Sequence, residues 1–203
     1  MSNEMNDWLK DHEEGEKLAL SGDTKMLDYN IFFTSDTHFG HQNIIKYCDR
    51  PFDDFNHMNE ILIKNWNEVV KPDNIVYFLG DFAFGNVKNY YRDLSERLNG
   101  EIILLKGNHD RGKELEKYFD LIDHMHPFTF AGYKFVLSHR PLPKNQIPVG
   151  YYNLHGHIHN NTLQFENTLT GVTYDLEKSI NVSTDVTDFK PINIIDIINN
   201  IMK

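Results

Sequence analysis

The sequence is poor in cysteine, in positive charge and in uninterrupted apolar runs. Cys48 is the single cysteine among 203 residues, which excludes an internal disulfide and suits a reducing compartment. Twenty Lys and Arg stand against 30 Asp and Glu, a formal charge of −10. A broad grip on duplex nucleic acid needs clustered cations, so that class is set aside; a local positive site built by bound metal ions is not. No run of about 18 apolar residues suggests a membrane span. The opening MSNEMNDWLKDHEEGEK lacks the basic-then-apolar order of a signal peptide. The expectation is a cytoplasmic protein that engages neither membrane nor duplex.

Apolar residues make up 40% of the chain and aromatics 13%, enough for a large core; a chain of this length buries roughly 70% of its unfolded surface. No linker-like, repeated or low-complexity tract divides it. The reading is one domain over residues 30–203. Ahead of it lies a charged, partly helical extension over residues 1–29, with Trp8, Leu9, Leu18 and Leu20 as packing residues.

Short runs rich in β-branched and aromatic residues, NIFFTS, NIVYFLG, EIILLKG, YKFVLS and YYNLHG with a weaker SINVS, read as strands. Helical patterns separate them. One runs from about Phe55 to Val70 behind the N-cap candidates Asp53 and Asp54. Another spans Asn89 to Leu98, with Gly100 at the place of a left-handed cap. RGKELEKYF reads as a third, short helix. HPFTFAGYKFVLSH reads as a hairpin turning at Ala131-Gly132, residues 160–178 as an inserted hairpin, and PINIIDIINNIMK as a strand end leading into a helix after Pro191. Strands alternating with helices imply a layered α/β (α+β) fold.

Each of the five strong runs ends in side chains able to bind metal: Asp36 and His38, Asp81, Asn108 with His109 and Asp110, His139, and His157 with His159. Five of the eleven histidines lie in these clusters. Any one cluster is most simply a turn former or a solvated histidine. Five at equivalent places are not, because the carboxyl ends of parallel strands converge on one crevice. Imidazole, carboxylate and amide ligands without thiolate suit manganese, iron, nickel or zinc and argue against a structural zinc site. There are too many for one ion, whereas two ions about 3.5–4 Å apart would employ them all.

The ordered set Asp36-Thr37-His38, Gly80-Asp81, Gly107-Asn108-His109-Asp110, His139 and Gly156-His157-Ile158-His159 resembles the calcineurin-like metallophosphoesterase superfamily, over about residues 31–190. The resemblance implies a four-layer α/β/β/α sandwich and two divalent cations, manganese foremost. It assigns Asp36, His38 and His159 to one ion, Asn108, His139 and His157 to the other, and Asp81 to both. Where many relatives add an Asp to the second motif, GDFAFGN has none, which suggests a compact branch. Two dications against two carboxylates leave a local charge of about +2 that attracts phosphate. The implied chemistry is attack on a phosphoester by a metal-bridging hydroxide, with His109 as general acid and Asp110 aligning its ring.

The substrate expected is a small phosphate ester: a diester, cyclic or nucleotide-derived, ahead of a monoester or phosphoprotein. A silent binding scaffold is the alternative from another class, disfavoured because every motif position is filled. His41 is a candidate contact to the substrate phosphate, with a helix start as its competing use. Arg50 and Arg140 are candidate phosphate clamps, with structural salt bridges as theirs. Phe39, Phe82 and Phe84 are candidates for a base or aryl pocket, with core packing as the default.

Overall fold

The computed structural model describes residues 31–84, 87–110, 115–122 and 124–203; the expected N-terminal extension lies outside them. The first sheet contains β1 (Ile31–Thr34), β2 (Ile75–Phe78), β3 (Glu101–Leu105), β4 (Asp120–Ile122) and β9 (Ile192–Asn193), in the order β4-β3-β2-β1-β9. All its pairings are parallel except β1 with β9. The second contains β5 (Met125–Phe130), β6 (Tyr133–Ser138), β7 (Tyr151–His155) and β8 (Ser179–Asn181) in chain order, antiparallel between β5 and β6 and parallel thereafter. β4, which among the described residues pairs only at its β3 side, escaped the periodicity reading.

Period-2 alternation sorts the strand side chains. Phe32, Val76, Phe78, Ile102 and Leu104 meet Met58, Leu62 and Trp66 of helix α2 (Phe55–Val69) and Tyr91 and Leu94 of helix α3 (Val87–Arg97). Their sequence neighbours Phe33, Leu79 and Leu105 face the second sheet, packing with Phe128, Phe135, Leu137 and Leu154. Strands buried on both faces explain why the runs are continuously apolar. Beyond the second sheet, Val136 and Tyr151 pack with Leu142 and Ile147 of the β6–β7 connection. The architecture is the expected layered α/β sandwich.

Local signals hold where they are strong. Asp54 caps α2 by accepting from the amide of His57 at 2.8 Å. Gly100 takes φ +90° after α3, and Ala131 and Gly132 both have positive φ in the β5–β6 hairpin, as a type I′ turn requires. Asn193 caps the last helix, α5 (Ile194–Ile201). A short helix, α1 (Gln42–Tyr47), begins after His41. The expected helix in RGKELEKYF is reduced, among its described residues, to a 3-10 turn at Leu115–Lys117; residues 111–114 lie outside the description. The inserted hairpin is corrected. Its segment carries helix α4 (Leu163–Thr170), where Leu, Gln and Glu outweigh the scattered threonines, ending before Gly171 at φ +68°.

Candidate metal centre

Three parallel strands of each sheet point their carboxyl ends at one edge. β1, β2 and β3 deliver Asp36 with His38, Asp81, and Asn108 to Asp110; β6, β7 and β8 deliver His139, His157 with His159, and Ser183 to Asp185. The two edges are tied where Ser35 bridges Ser183 in parallel, reinforced by the amide of Thr184 donating to the Ser35 carbonyl at 3.0 Å. Clusters from both halves of the chain thereby surround one space.

The backbone here is strained. Asp36, His38, Asp81, His157 and His159 have φ of 58°, 51°, 60°, 70° and 51°, a left-handed conformation that costs an ordinary residue roughly 1–2 kcal/mol. Cross-loop bonds hold it in place. The amides of Asp36, His38 and Phe39 donate to the carbonyls of Gly80, Asp81 and Phe82 at 2.9, 3.1 and 2.9 Å. Gly107 lets the third loop close in, since a Cβ there would collide with the Asp81 backbone amide and carboxylate.

Three groups of side chains each bring one ligand atom apiece within 4.8 Å of one another: Asp36 with His38 and His159, Asp81 with His139 and His157, and Cys48 with Asp185 and the same His159. Asp81 Oδ2 lies 3.6 Å from His38 Nε2 and 3.4 Å from His139 Nε2, so it reaches both. Asn108 Oδ1 is 3.1 Å from His139 Nε2. The seven expected ligands are therefore together.

Their unmet bonding capacity fits cations. Asp36 Oδ2 accepts from Ser183 Oγ at 2.8 Å and the His157 amide at 2.9 Å, while its Oδ1 is buried without a partner. Both ring nitrogens of His38 are also buried and unpartnered. Burial lowers His38 to about 2 against the pull of Asp81, which leaves a neutral imidazole with a lone pair to give. Burial, then the charges of His139 and Arg140, lowers His157 to about 3. Burial would raise Asp81, but His139 and the His109 amide hold it well below the usual carboxylate range. His139 Nδ1 donates to the Leu79 carbonyl at 2.8 Å, which presents Nε2 to the centre.

His109 stands at the rim. Its amide donates to Asp81 Oδ1 at 2.8 Å, its Nε2 is 3.9 Å from Asp81 Oδ2, and its side chain is 38% exposed. Asp110 corrects the expectation that it aligns this ring. It is buried, and its carboxylate accepts from the amides of Asp81 (2.6 Å), Gly107 (2.9 Å) and Phe82 (3.0 Å) instead, locking the second and third loops together.

Arg50 is also corrected. Its side chain is fully buried, chelates Asp185 at 2.7 and 2.8 Å, and donates to the carbonyls of Asp36 and Thr37. The guanidinium is consumed by the structure and does not clamp phosphate. Arg140 is exposed and donates to His157 Nε2 at 2.6 Å and Asn108 Oδ1 at 3.4 Å. His41 occupies the N-cap of α1 without capping it. Of the three phenylalanines, Phe39 and Phe82 are core residues and Phe84 is exposed.

Asp185 is the residue that sequence reasoning missed. Its Oδ2 lies 2.7 Å from His159 Nδ1, which leaves the opposite nitrogen free to act with Asp36 and His38. Burial lowers His159, but the bond to Asp185 outweighs it and raises the group well above its ordinary value. A signal existed: the weak SINVS run is a sixth strand of the same set, and Ser183-Thr184-Asp185 is its end.

The chain matches the calcineurin-like phosphoesterase family model over residues 29–195. It is 43% identical over 165 residues to an uncharacterized protein of Methanocaldococcus jannaschii, covering 81% of this chain and 86% of that protein. The gene 66 protein of Mycobacterium phage D29 is 28% identical over 165 residues, 66% of this chain and 81% of that protein. Among solved structures, a protein of unknown function from Aquifex aeolicus aligns with a TM-score of 0.65 at 30% identity, over 84% of this chain and 98% of that one.

Proposed function

Since the chain belongs to the calcineurin-like phosphoesterases, metal-dependent hydrolases of phosphoric esters, we propose that it hydrolyses a phosphodiester with two divalent cations, manganese foremost. The observation that carries the reading is the pair of donor groups with Asp81 Oδ2 within 3.6 Å of a ring nitrogen in each. Asp36, His38 and His159 would hold one ion, Asn108, His139 and His157 the other, and Asp81 both. Bound there, the ions would supply positive charge to the phosphate and lower the pKa of an attacking water, from 15.7 to about 7 in the best zinc case.

His109 is the proton donor to the departing ester oxygen. Its amide bond to Asp81 ties it to the loop that carries the shared carboxylate, and its part-exposed side chain can present a ring nitrogen to an oxygen at the rim. Arg140 donates to Nε2 of His157 and Oδ1 of Asn108, the atoms through which those side chains would hold a cation. His157 Nε2 has a single lone pair, so a cation held there would leave the Arg140 donor free for a phosphate oxygen. A cavity of about 420 Å³ lined by Lys106, Asn108, His139 and Arg140 gives room for a second ester substituent, which favours a diester.

The test is turnover of bis(p-nitrophenyl) phosphate against p-nitrophenyl phosphate with added manganese, with Asp81→Asn as the blank. A high ratio supports the diester and a low one a monoesterase. No turnover of either above the blank returns the chain to the scaffold reading.

A further inference from the structure

We propose that His41 and Phe84 form a stacking subsite beside the centre, one that takes a nucleobase, so that the substrate is a nucleotide ester. The inference rests on the phosphoesterase reading and names its substrate class.

Three phenylalanines flank the metal-binding motifs, and the structure separates them. Phe39 and Phe82 are fully buried in the helix-side core, whereas Phe84 is 39% exposed. Its backbone is held, since its amide donates to the Phe39 carbonyl at 2.9 Å where the first two loops are zipped together. His41 lies flat against it, with ring centroids 4.0 Å apart and planes within 17°. Among the described residues no hydrogen bond orients the His41 ring: its side chain makes no cap bond, and its Nδ1 is buried without a partner. Stacking sets that ring.

The stack adjoins the chemistry. Phe84 is 5.4 Å from His109, edge to face, and His41 is 5.3 Å from His38. Tyr47, 73% exposed, continues the aromatic border 6.3 Å beyond His41. A single exposed apolar ring is ordinary. Here contiguous rings line the rim beside the expected proton donor, within reach of the leaving substituent of a phosphate held at the centre. Stacking on an aromatic side chain tolerates every base, because each has a π-face. The subsite therefore reads the presence of a base and not its identity.

The test is equilibrium binding to the manganese-loaded full chain by titration calorimetry, comparing adenosine 5′-monophosphate with ribose 5-phosphate. The nucleotide is expected to bind roughly tenfold more tightly. Phe84→Leu should weaken the nucleotide alone, within the roughly fivefold to hundredfold span of base stacking, and Phe84→Trp should retain it. Equal affinities in the wild type, no binding of either, or an equal loss of both in Phe84→Leu would overturn the subsite. A base preference without turnover of any ester would uphold the subsite and sink the phosphoesterase reading; turnover without a base preference would do the reverse.

Discussion

Asp185→Asn tests a carboxylate that braces the scaffold and orients a histidine of the centre at once. In the native protein it takes two hydrogen bonds from a guanidinium, and neither partner's side chain is more than 1% exposed. Asparagine keeps the shape and one oxygen but leaves Arg50 charged and uncompensated. Removing one partner of a buried pair costs about 3–5 kcal/mol, and Arg50 keeps the carbonyls of Asp36 and Thr37 as acceptors, so about 3 kcal/mol is expected. For a protein of this size that lowers the melting temperature by roughly 6–12 °C. Melting in chelator reads this loss without any contribution from metal. His159 also loses the charge that orients it, and removing such a partner weakens metal binding about 10- to 100-fold. Competition titration with a metal indicator measures that second effect. A melting temperature within about 2 °C of wild type in chelator, together with unchanged metal affinity, would refute both halves of the reasoning.

His109→Ala should leave metal content intact and slow hydrolysis about 10²- to 10⁴-fold for poor leaving groups, with the smallest loss for activated phenols; equal losses across a leaving-group series would remove it as the acid. Asp110→Ala strands three backbone amides, each costing about 1–3 kcal/mol if unsatisfied, so it should melt well below wild type while its residual activity keeps the wild-type leaving-group dependence. Normal stability with a steepened dependence would restore Asp110 as the aligner of His109. Burial lowers His159 but Asp185 raises it further, so its stabilisation of the metal-free protein is full below about pH 6.5 and is lost as pH rises through the raised value. At pH 7 a cation must displace that proton, and manganese binding should release about one from this residue; calorimetry in buffers of different ionisation enthalpy that detected no release would contradict the shift.

Much of this arrangement was legible in order along the chain. Strand runs, the α2 cap, the Ala131-Gly132 turn and the candidate metal ligands at strand ends are set by neighbours a few positions apart, through periodicity and turn chemistry. The parallel pairing of β1 with β2 and β3, and of β6 with β7 and β8, then carried those ends to one edge as the motif order implied. The 160–178 segment went astray because its threonines and its Leu, Gln and Glu gave opposing local preferences, and the helix prevailed.

What only the tertiary structure decided is which partner each polar side chain meets. Arg50 and Asp185 are 135 positions apart, and nothing near either in sequence marks them as a buried pair; their meeting depends on the Ser35–Ser183 bridge that ties the two sheets. Asp110 serves backbone amides instead of the adjacent histidine because the Gly80 and Gly107 loops close on it. Phe84 is separated from Phe39 and Phe82 by exposure alone, a quantity that exists only once the chain has packed. Residue type and local spacing determined the chemistry available to this protein, because ligand character and strand periodicity are local properties. The non-local contacts between its two sheets determined which of those groups face one another and which are spent holding the site in its strained conformation.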